Sequence, residues 1–194
     1  MKKHILLIAL SIVILTSCNQ ATTTESSSVV LSEDIPEGAV REAYADMPGK
    51  EKVTISNGET LISQGDVFNG KKTGTWTEYQ TNGVVKEISG YDDGLKNGQS
   101  LTMDNQGRIE SRTYYHNGLK HGDYVKYKYT KVVEQVTYVN GKKQGAVKKF
   151  YDNGNIQEES NYQDGVLHGL AKWYDQEGNV TIEYEYDEGK LIKQ

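Results

Sequence analysis

The side chains of this sequence that could bind a metal ion are histidines. After the first few residues these are His116, His121 and His168. His121 and His168 occupy equivalent positions two repeats apart in the periodic pattern described below, so stacked strands would separate them by roughly 19 Å. Zinc needs its ligands about 2 Å away. His116 and His121 share one predicted turn region, but no cysteine accompanies them, so we expect no metal site.

The sequence offers little for nucleophilic or cofactor chemistry. Its single cysteine is Cys18, no serine lies in a G-x-S-x-G context, and the phosphate-loop pattern G-x-x-x-x-G-K-[ST] does not occur. Glu87, Glu134 and Glu158 recur at one position of the repeat. An acid–base pair needs two carboxylates that converge on one substrate. A periodic column instead favours a structural role, accepting hydrogen bonds from turn N–H groups or tyrosine hydroxyls. We expect neither an enzyme nor a cofactor.

Glycines recur through most of the sequence at nearly constant spacing. The leading glycines are Gly70, Gly94, Gly118, Gly141, Gly165 and Gly189, at intervals of 24, 24, 23, 24 and 24 residues. A second set follows four residues later at Gly74, Gly98, Gly122, Gly145 and Gly169. A third set, nine residues further on, is Gly83, Gly107, Gly154 and Gly178, and the third repeat lacks it near Thr130. A tyrosine column, Tyr91, Tyr115, Tyr138, Tyr162 and Tyr186, keeps the same period.

Each unit of this pattern predicts two β-strands. The second strand alternates with period two: Ile156, Glu158, Ser160 and Tyr162 would share one face. The first strand is less regular, because Trp76 and Tyr79 have opposite parity, so we expect a bulge or a contribution to both faces. Asn-Gly pairs favour type I′ turns, in which both central residues have positive φ. These pairs occur at 57–58, 69–70, 82–83, 97–98, 117–118, 140–141 and 153–154.

The unit G-x-x-x-G-x-x-x-x-aromatic-x-x-x-G, followed by an apolar position and a tyrosine, resembles the MORN repeat in its bacterial variant. The resemblance covers residues 70–189, with a degenerate repeat at about 51–69. It implies an all-β fold: an antiparallel meander of stacked β-hairpins of about 24 residues, forming one elongated sheet over residues 51–194.

The N-terminal segment is predicted to be a lipoprotein signal. Lys2 and Lys3 precede an apolar run of eleven residues, which is typical of a secretory signal peptide over residues 1–17. The sequence LTSC at 15–18 resembles the lipobox of bacterial lipoproteins, which implies acylation of Cys18. Residues 18–50 would form a lipid-anchored flexible tether, with a possible short helix at 37–47. Asn19 favours sorting to the outer membrane if the host resembles enterobacteria.

The distribution of charged residues, and aromatic residues that depart from the repeat pattern, suggest binding surfaces. Residues 18–194 carry 20 basic and 27 acidic side chains, which argues against a nucleic-acid binder. Residues 118–149 hold eight lysines against two acids, whereas 150–194 hold ten acids against three lysines. The candidate binding residues are Lys142, Lys143, Lys148, Lys149, Tyr114 and Trp173. The lysines would serve either a charged partner, anionic lipid head groups or solubility alone.

Three functions follow as hypotheses. The first is a non-enzymatic, lipid-anchored scaffold that binds a protein partner at the bacterial envelope. The second rests on resemblance to the toxin–antitoxin system YwqK-type antitoxin family, which implies an immunity protein that neutralises a cognate toxin. The third is binding of anionic membrane lipid through Lys142, Lys143, Lys148 and Lys149.

Overall fold

A computed structural model describes residues 35–194, and nearly all of this part of the chain is β-structure. The strands are β1 (Val40–Ala43), β2 (Lys50–Asn57), β3 (Thr60–Phe68), β4 (Lys71–Tyr79), β5 (Val85–Asp92), β6 (Leu95–Met103), β7 (Ile109–His116), β8 (Leu119–Lys128), β9 (Lys131–Val139), β10 (Lys142–Lys143), β11 (Gly145–Phe150), β12 (Ile156–Gln163), β13 (Val166–Tyr174), β14 (Val180–Asp187) and β15 (Lys190–Lys193). No helix in residues 35–194 is long and apolar enough to cross a bilayer.

All these strands form one antiparallel sheet whose spatial order follows the sequence. Each strand pairs with the preceding and the following strand, and the two-residue β10 pairs with β9 beside β11. Each 24-residue unit therefore adds two neighbouring strands to the sheet. The predicted all-β meander of stacked hairpins is confirmed.

The leading glycines lie in two-residue hairpin turns. Asn69 and Gly70 have φ of 49° and 81°, and the flanking residues Phe68 and Lys71 are paired. Asn117–Gly118 and Asn140–Gly141 also have both φ values positive, as a type I′ turn requires. The predicted type I′ geometry is confirmed at these three pairs and is wrong at 57–58, 82–83 and 153–154, where the glycine alone has positive φ.

The second set of glycines lies inside the strands, not at turns. Gly98 has φ of 86° in the middle of β6, where the pairing of β5 with β6 shifts between Ser89 and Tyr91. The same shift recurs beside Gly122, between Thr113 and Tyr115. The predicted turn at 97–98 is wrong, because a glycine with positive φ serves a bulge as well as a turn. A bulge in the first strand, one of the two alternatives predicted, is present in these units.

The side chains of the sheet divide between two faces. We call the face that carries the tyrosine column the A face and the opposite face the B face. Tyr91 and Tyr138 are 7% and 6% exposed, and the other tyrosines of the column are half-buried. A row of buried side chains runs beside them on the A face, crossing strands through Val53, Trp76, Ser89, Ser100, Thr113, Val136, Val147, Ser160 and Ala171.

One small residue, Gly65, shows how tightly this row is built. The indole of Trp76 lies over Gly65, where an added Cβ would be 2.4 Å from the ring. The indole Nε1 donates to the carbonyl oxygen of Asp66 at 2.7 Å. Val53, Val67 and Tyr91 complete this cluster. It forms the N-terminal end of the core.

The short helix expected within 37–47 is wrong. Val40–Ala43 form β1, which pairs with β2 through Val40 and Thr54. Ile35 and Ala39 pack against the cluster around Val53 and Val67. A helix this short is marginal in water, whereas the open edge of β2 offers backbone partners. The sheet thus begins before the expected boundary at residue 51. The predicted signal peptide and Cys18 lie outside the described residues.

Candidate functional site

Lysines of four consecutive units alternate with the tyrosine column on the A face. Lys96 is paired with Tyr91 in the register of β5 and β6, and Lys120 is paired with Tyr115. The Nζ atoms lie between 4.5 and 5.5 Å from the centroid of an aromatic ring, which is cation–π distance. These lysines are Lys72, Lys96, Lys120 and Lys143. Sequence analysis missed this column, although its signal is a lysine two residues after the leading glycine.

Glu87 lies at the centre of a buried polar cluster on the A face. Its carboxylate accepts hydrogen bonds from Ser89 at 2.5 Å and Ser100 at 2.7 Å, and it pairs with the ammonium of Lys96. Burial raises the pKa of Glu87. The hydrogen bonds from Lys96, Ser89 and Ser100 together lower it by more, so the pKa lies below the ordinary value. Burial and the Glu87 charge raise the pKa of Tyr115. Glu87 therefore has the acceptor role expected for this column.

The partners of the glutamate column differ from those expected. Ser160 donates to Glu158 at 3.1 Å and Lys149 donates to it at 2.8 Å. Serine hydroxyls and lysines, rather than turn N–H groups or tyrosine hydroxyls, bond to these carboxylates. Because Ser89 and Ser100 are almost fully buried, their hydroxyls are held between side chains and not presented to a substrate.

The three histidines of residues 35–194 lie apart from any larger group of metal ligands. The rings of His116 and His121 lie 5.8 Å apart, and His121 Nδ1 is 3.3 Å from the side-chain oxygen of Asn140. His168 Nδ1 lies 3.2 Å from Asp187. Within residues 35–194, no group of three or more His, Cys, Asp or Glu side chains is placed to hold a metal ion.

The four candidate lysines do not form one patch. Lys143 is opposite Tyr138 and Lys149 is opposite Glu134, which places both on the A face. Lys142 is opposite Val139 and Lys148 is opposite Gln135, on the B face. Lys148 and Lys149 are also paired with Glu159 and Glu158, at 3.4 and 2.8 Å.

Trp173 and Tyr114 lie on opposite faces. On the A face, Trp173 is paired with Ile182, and its ring centroid is 5.7 Å from that of Tyr184. Tyr114 is 37% exposed on the B face, at the repeat position that Gly90 fills one unit earlier. The structure therefore does not bring the candidate residues together.

A single row of side chains crosses the B face from strand to strand. In β5 to β8 the row is Ile88, Leu101, Arg112 and Val125. In β11 to β14 the same repeat positions hold Lys148, Glu159, Lys172 and Glu183. The second set forms ion pairs within itself, at 3.4 Å for Lys148 with Glu159 and 2.9 Å for Lys172 with Glu183. The first set contains no ion pair, so the charge of Arg112 is not compensated within it.

Arg112 is the exceptional residue of this row. Its Nε is the one buried side-chain nitrogen or oxygen in residues 35–194 that lacks a hydrogen-bond partner. Its guanidinium carbon lies 5.9 Å from the ring centroid of Tyr114. A depression of about 240 Å³ opens beside it, lined on this face by Asp123, Val125, Gln135 and Lys148. Sequence analysis named Tyr114 but missed Arg112.

A larger depression of about 910 Å³ lies along the ends of the strands. Gln80 spans part of it, donating from Nε2 to the carbonyl oxygen of Asp104 at 2.8 Å. Asp104 accepts from the backbone N–H of Gln106 and from Arg108 Nε. These polar groups tie neighbouring loops together, so the larger depression is a by-product of loop packing.

Three segments match the MORN repeat variant. They are residues 72–93, 143–164 and 167–188, and each spans the two strands of one unit and the loop between them. The matches support a MORN-repeat protein. Repeats of this kind are generally scaffolds for binding. The matched segments do not include residues 94–142, which contain Arg112 and Tyr114.

One similar solved structure is a Glycosylation Associate Protein (Gap123) complex from Streptococcus agalactiae. The identity is 14% and the TM-score is 0.24, and the match covers 76% of this chain and 22% of that chain. This chain thus spans about a fifth of the length of that protein. No curated protein matches the sequence significantly.

Proposed function

We propose that this protein is a non-enzymatic repeat scaffold that binds a protein partner through the B face of strands β6 to β9. A meander in which every unit adds the same two strands supplies a rigid, extended surface. Side chains on the B face are free to differ between units because the A face carries most of the buried row. The side chains of the B face can therefore determine which partner is bound.

The observation that carries this proposal is the uncompensated part of the B-face row. Leu101 and Val125 flank Arg112, and the exposed ring of Tyr114 lies next to it. Arginine and tyrosine, set among apolar side chains, are the residues that most often dominate binding energy at protein interfaces. The equivalent positions of β11 to β14 are satisfied by ion pairs within the sheet.

We further propose that the scaffold is held at the bacterial envelope by acylation of Cys18. The support for this proposal is the sequence LTSC directly after an apolar run. The first strand begins at Val40, more than twenty residues after Cys18.

The two other hypotheses fare differently. An immunity protein is a special case of the same proposal, in which the partner is a toxin, and its support is the family resemblance. The anionic-lipid hypothesis loses the feature that motivated it, because Lys142 and Lys148 lie on one face while Lys143 and Lys149 lie on the other.

A position-specific crosslink tests the proposed surface. A photo-crosslinking phenylalanine analogue replaces Tyr114 in the full chain, expressed in its own host. The matched control places the analogue at Leu170, which is also 37% exposed and lies on the B face opposite Glu185. We expect one crosslinked protein from position 114 and none from position 170.

Affinity measurements then check how much Tyr114 contributes to binding of the partner. Tyr114→Ala should weaken binding of the crosslinked protein about tenfold, because loss of an interface aromatic typically costs more than 1 kcal/mol. Leu170→Ala should leave the affinity unchanged. Crosslinks of equal yield at both positions, or only at 170, would contradict the proposed surface.

A further inference from the structure

The two outermost strands of the sheet are exposed along their whole length. Every residue of β1 (Val40–Ala43) and of β15 (Lys190–Lys193) is exposed, and within residues 35–194 each of these strands has a single neighbour. The side chains of Val40 and Ile192 are 61% and 60% exposed. An edge of this kind carries backbone N–H and C=O groups that can pair with a further strand.

The order of the strands makes the two edges fit each other in direction. The path through the sheet contains an even number of strands, β1 to β9 and β11 to β15, and each is antiparallel to the one before it. β1 and β15 therefore run in opposite directions. A second copy placed beyond β15 in the same orientation presents its β1 antiparallel to β15, and its A and B faces continue those of the first copy.

The free backbone groups of β1 lie at alternate residues. Tyr44 donates its N–H to the carbonyl oxygen of Lys50, on the side of β2. Because the backbone groups of an antiparallel strand point alternately to its two neighbours, those of Arg41 and Ala43 point outward. A further strand would form its hydrogen bonds with these two residues.

The free backbone groups of β15 include those of Leu191. Asp187 and Lys190 are opposite each other on either side of the Glu188–Gly189 turn, so the backbone groups of Lys190 bond to β14. The N–H and C=O of the next residue, Leu191, therefore point outward. They can bond to the outward groups of β1 in a second copy.

Charge selects the register in which Leu191 lies opposite Arg41. This register joins opposite charges and brings the two most exposed apolar side chains of the edges together, pairing Lys190 with Glu42 and Ile192 with Val40. The other register that satisfies the outward groups places Leu191 opposite Ala43. Lys190 then lies opposite Tyr44 and has no acidic partner across the joint.

The joint continues a charge pattern of the B face. Lys190 is opposite Asp187 within one copy, and Glu42 is opposite Lys52 within the other. Across the joint the B face therefore alternates from strand to strand between acid and base, through Asp187, Lys190, Glu42 and Lys52. The B-face row of β11 to β14 shows the same alternation within the chain, where it forms ion pairs.

Each edge fits itself less well than it fits the other edge. The registers of β1 with a second β1 that overlap most of the strand place either Arg41 or Glu42 opposite the same residue of the other copy. Like charges directly opposite each other destabilise a sheet. A pair of β15 strands brings together Lys190 and Lys193 of both copies with no acidic residue in either strand.

We propose that this protein associates head to tail with further copies of itself, β15 of one copy adding to β1 of the next in the register that places Lys190 opposite Glu42. Such a heterologous contact builds a ring if the rotation between copies closes, and an open filament if it does not. The inference goes beyond the proposed function, since the joint uses the edges of the sheet and leaves the B face of β6 to β9 uncovered.

Variants with one blocked edge test the joint by sedimentation velocity of the full chain. Leu191→Pro removes the outward N–H of β15 without removing a hydrogen bond to β14, and Arg41→Pro does the same at β1. We expect wild type to form oligomers that grow with concentration, and each variant to be monomeric. An equimolar mixture of the two variants should form a dimer and nothing larger, because one intact edge of each kind remains.

Three results of the sedimentation experiment would overturn the inference. One is wild type that stays monomeric at every concentration. Another is a dimer of either variant alone, which would show that an edge pairs with itself. A third is oligomers of both variants as large as those of wild type, which would place the contact elsewhere on the molecule.

An engineered disulfide tests the register. Lys190 and Glu42 form the non-hydrogen-bonded pair beside Leu191 and Arg41, and the Cα atoms of such a pair lie about 4.5 Å apart. A disulfide spans about 4.4–6.8 Å between Cα atoms. In the full chain with Cys18→Ser, which removes the single native thiol, Glu42→Cys/Lys190→Cys oxidised with copper phenanthroline should give a ladder of covalent oligomers. A mixture of the two single variants should give dimers only.

The matched control places the cysteines at inner strands. Ile62 of β3 and Leu170 of β13 are 43% and 37% exposed, and we expect no ladder from Ile62→Cys/Leu170→Cys. Ladders of equal yield from the two double variants would indicate random collision and would overturn the inference. An absence of covalent oligomers from Glu42→Cys/Lys190→Cys would overturn it as well, even if both proline variants failed to fold.

Discussion

Two regions of the sheet use the same repeat positions for different purposes. In the first region, strands β5 to β8, Glu87 is buried on the A face among Ser89, Ser100 and Lys96, and the B face lacks internal ion pairs. In the second region, strands β11 to β14, the equivalent Glu158 is half-buried. Here the B face is a series of ion pairs. The first region therefore pairs its charges on the A face, whereas its B face has no ion pairs of its own.

The difference shows what a repeat does and does not determine. Its glycines fix turns and bulges, and so fix which face each position occupies. They leave open whether a charged side chain is satisfied within the sheet or by another molecule. A binding surface can therefore arise by changing a few B-face residues while the A face keeps the fold.

The largest effect on stability should come from Glu87→Gln. Glu158→Gln is the matched change in the second region. Glu87→Gln should lower the free energy of unfolding by about 3 kcal/mol, because it leaves Lys96 buried without its counter-charge. The side chains of Glu87 and Lys96 are only 15% and 11% exposed. Glu158→Gln should cost less than about 1 kcal/mol, since its partner Lys149 is 47% exposed. Urea unfolding measures both, and equal losses would erase the contrast between the regions.

Lowering the pH should reduce the stability of the first region, because it protonates the Glu87 carboxylate. The pKa of Glu87 in the folded protein lies below its ordinary value of 4.5. Its contribution is therefore complete above that value and is lost as the pH falls through the folded pKa. We expect the stability difference between wild type and Glu87→Gln to shrink between about pH 6 and about pH 3. Unfolding curves at these pH values check this, and a difference independent of pH would refute it.

The smallest effect concerns the turn between the two regions. Tyr129 has φ of 60° and is 64% exposed, in the shortened unit that lacks its third glycine. The left-handed conformation costs a residue such as tyrosine about 1 kcal/mol, and the contact of Tyr129 with Arg108 at 4.6 Å returns about 0.5 kcal/mol.

Tyr129→Asn should accordingly raise the free energy of unfolding by about 0.5 kcal/mol. Thermal unfolding is the measurement. Asn117→Tyr makes the reverse change at a turn with φ of 48° and should lower the stability. A loss of stability in Tyr129→Asn would show that the contact with Arg108 outweighs the backbone strain.

The sequence was sufficient to predict the fold because its signals are local. Asn69–Gly70 and Asn117–Gly118 specify tight turns, and alternation from Ile156 to Tyr162 specifies a strand. The error at 97–98 arose because positive φ is shared by turns and bulges. The helix expected at 37–47 failed because the edge of β2, which takes up Val40–Ala43, is invisible in the local sequence.

The candidate site was less predictable than the fold. Tyr114 could be chosen because it breaks the repeat. Arg112 could not, because it stands out only by the missing hydrogen-bond partner of its buried Nε, and that follows from packing across strands. The lysines 142, 143, 148 and 149 form a cluster in sequence, but strand alternation divides them between the faces.

The strand order has a consequence for how the molecule forms. Because every strand pairs only with strands one or two places away in the sequence, no long loop has to close before a contact is made. Folding can start at any hairpin and spread to both sides. The same property lets the chain become structured progressively from its N-terminal side while its remainder is still emerging from a ribosome or a translocation pore.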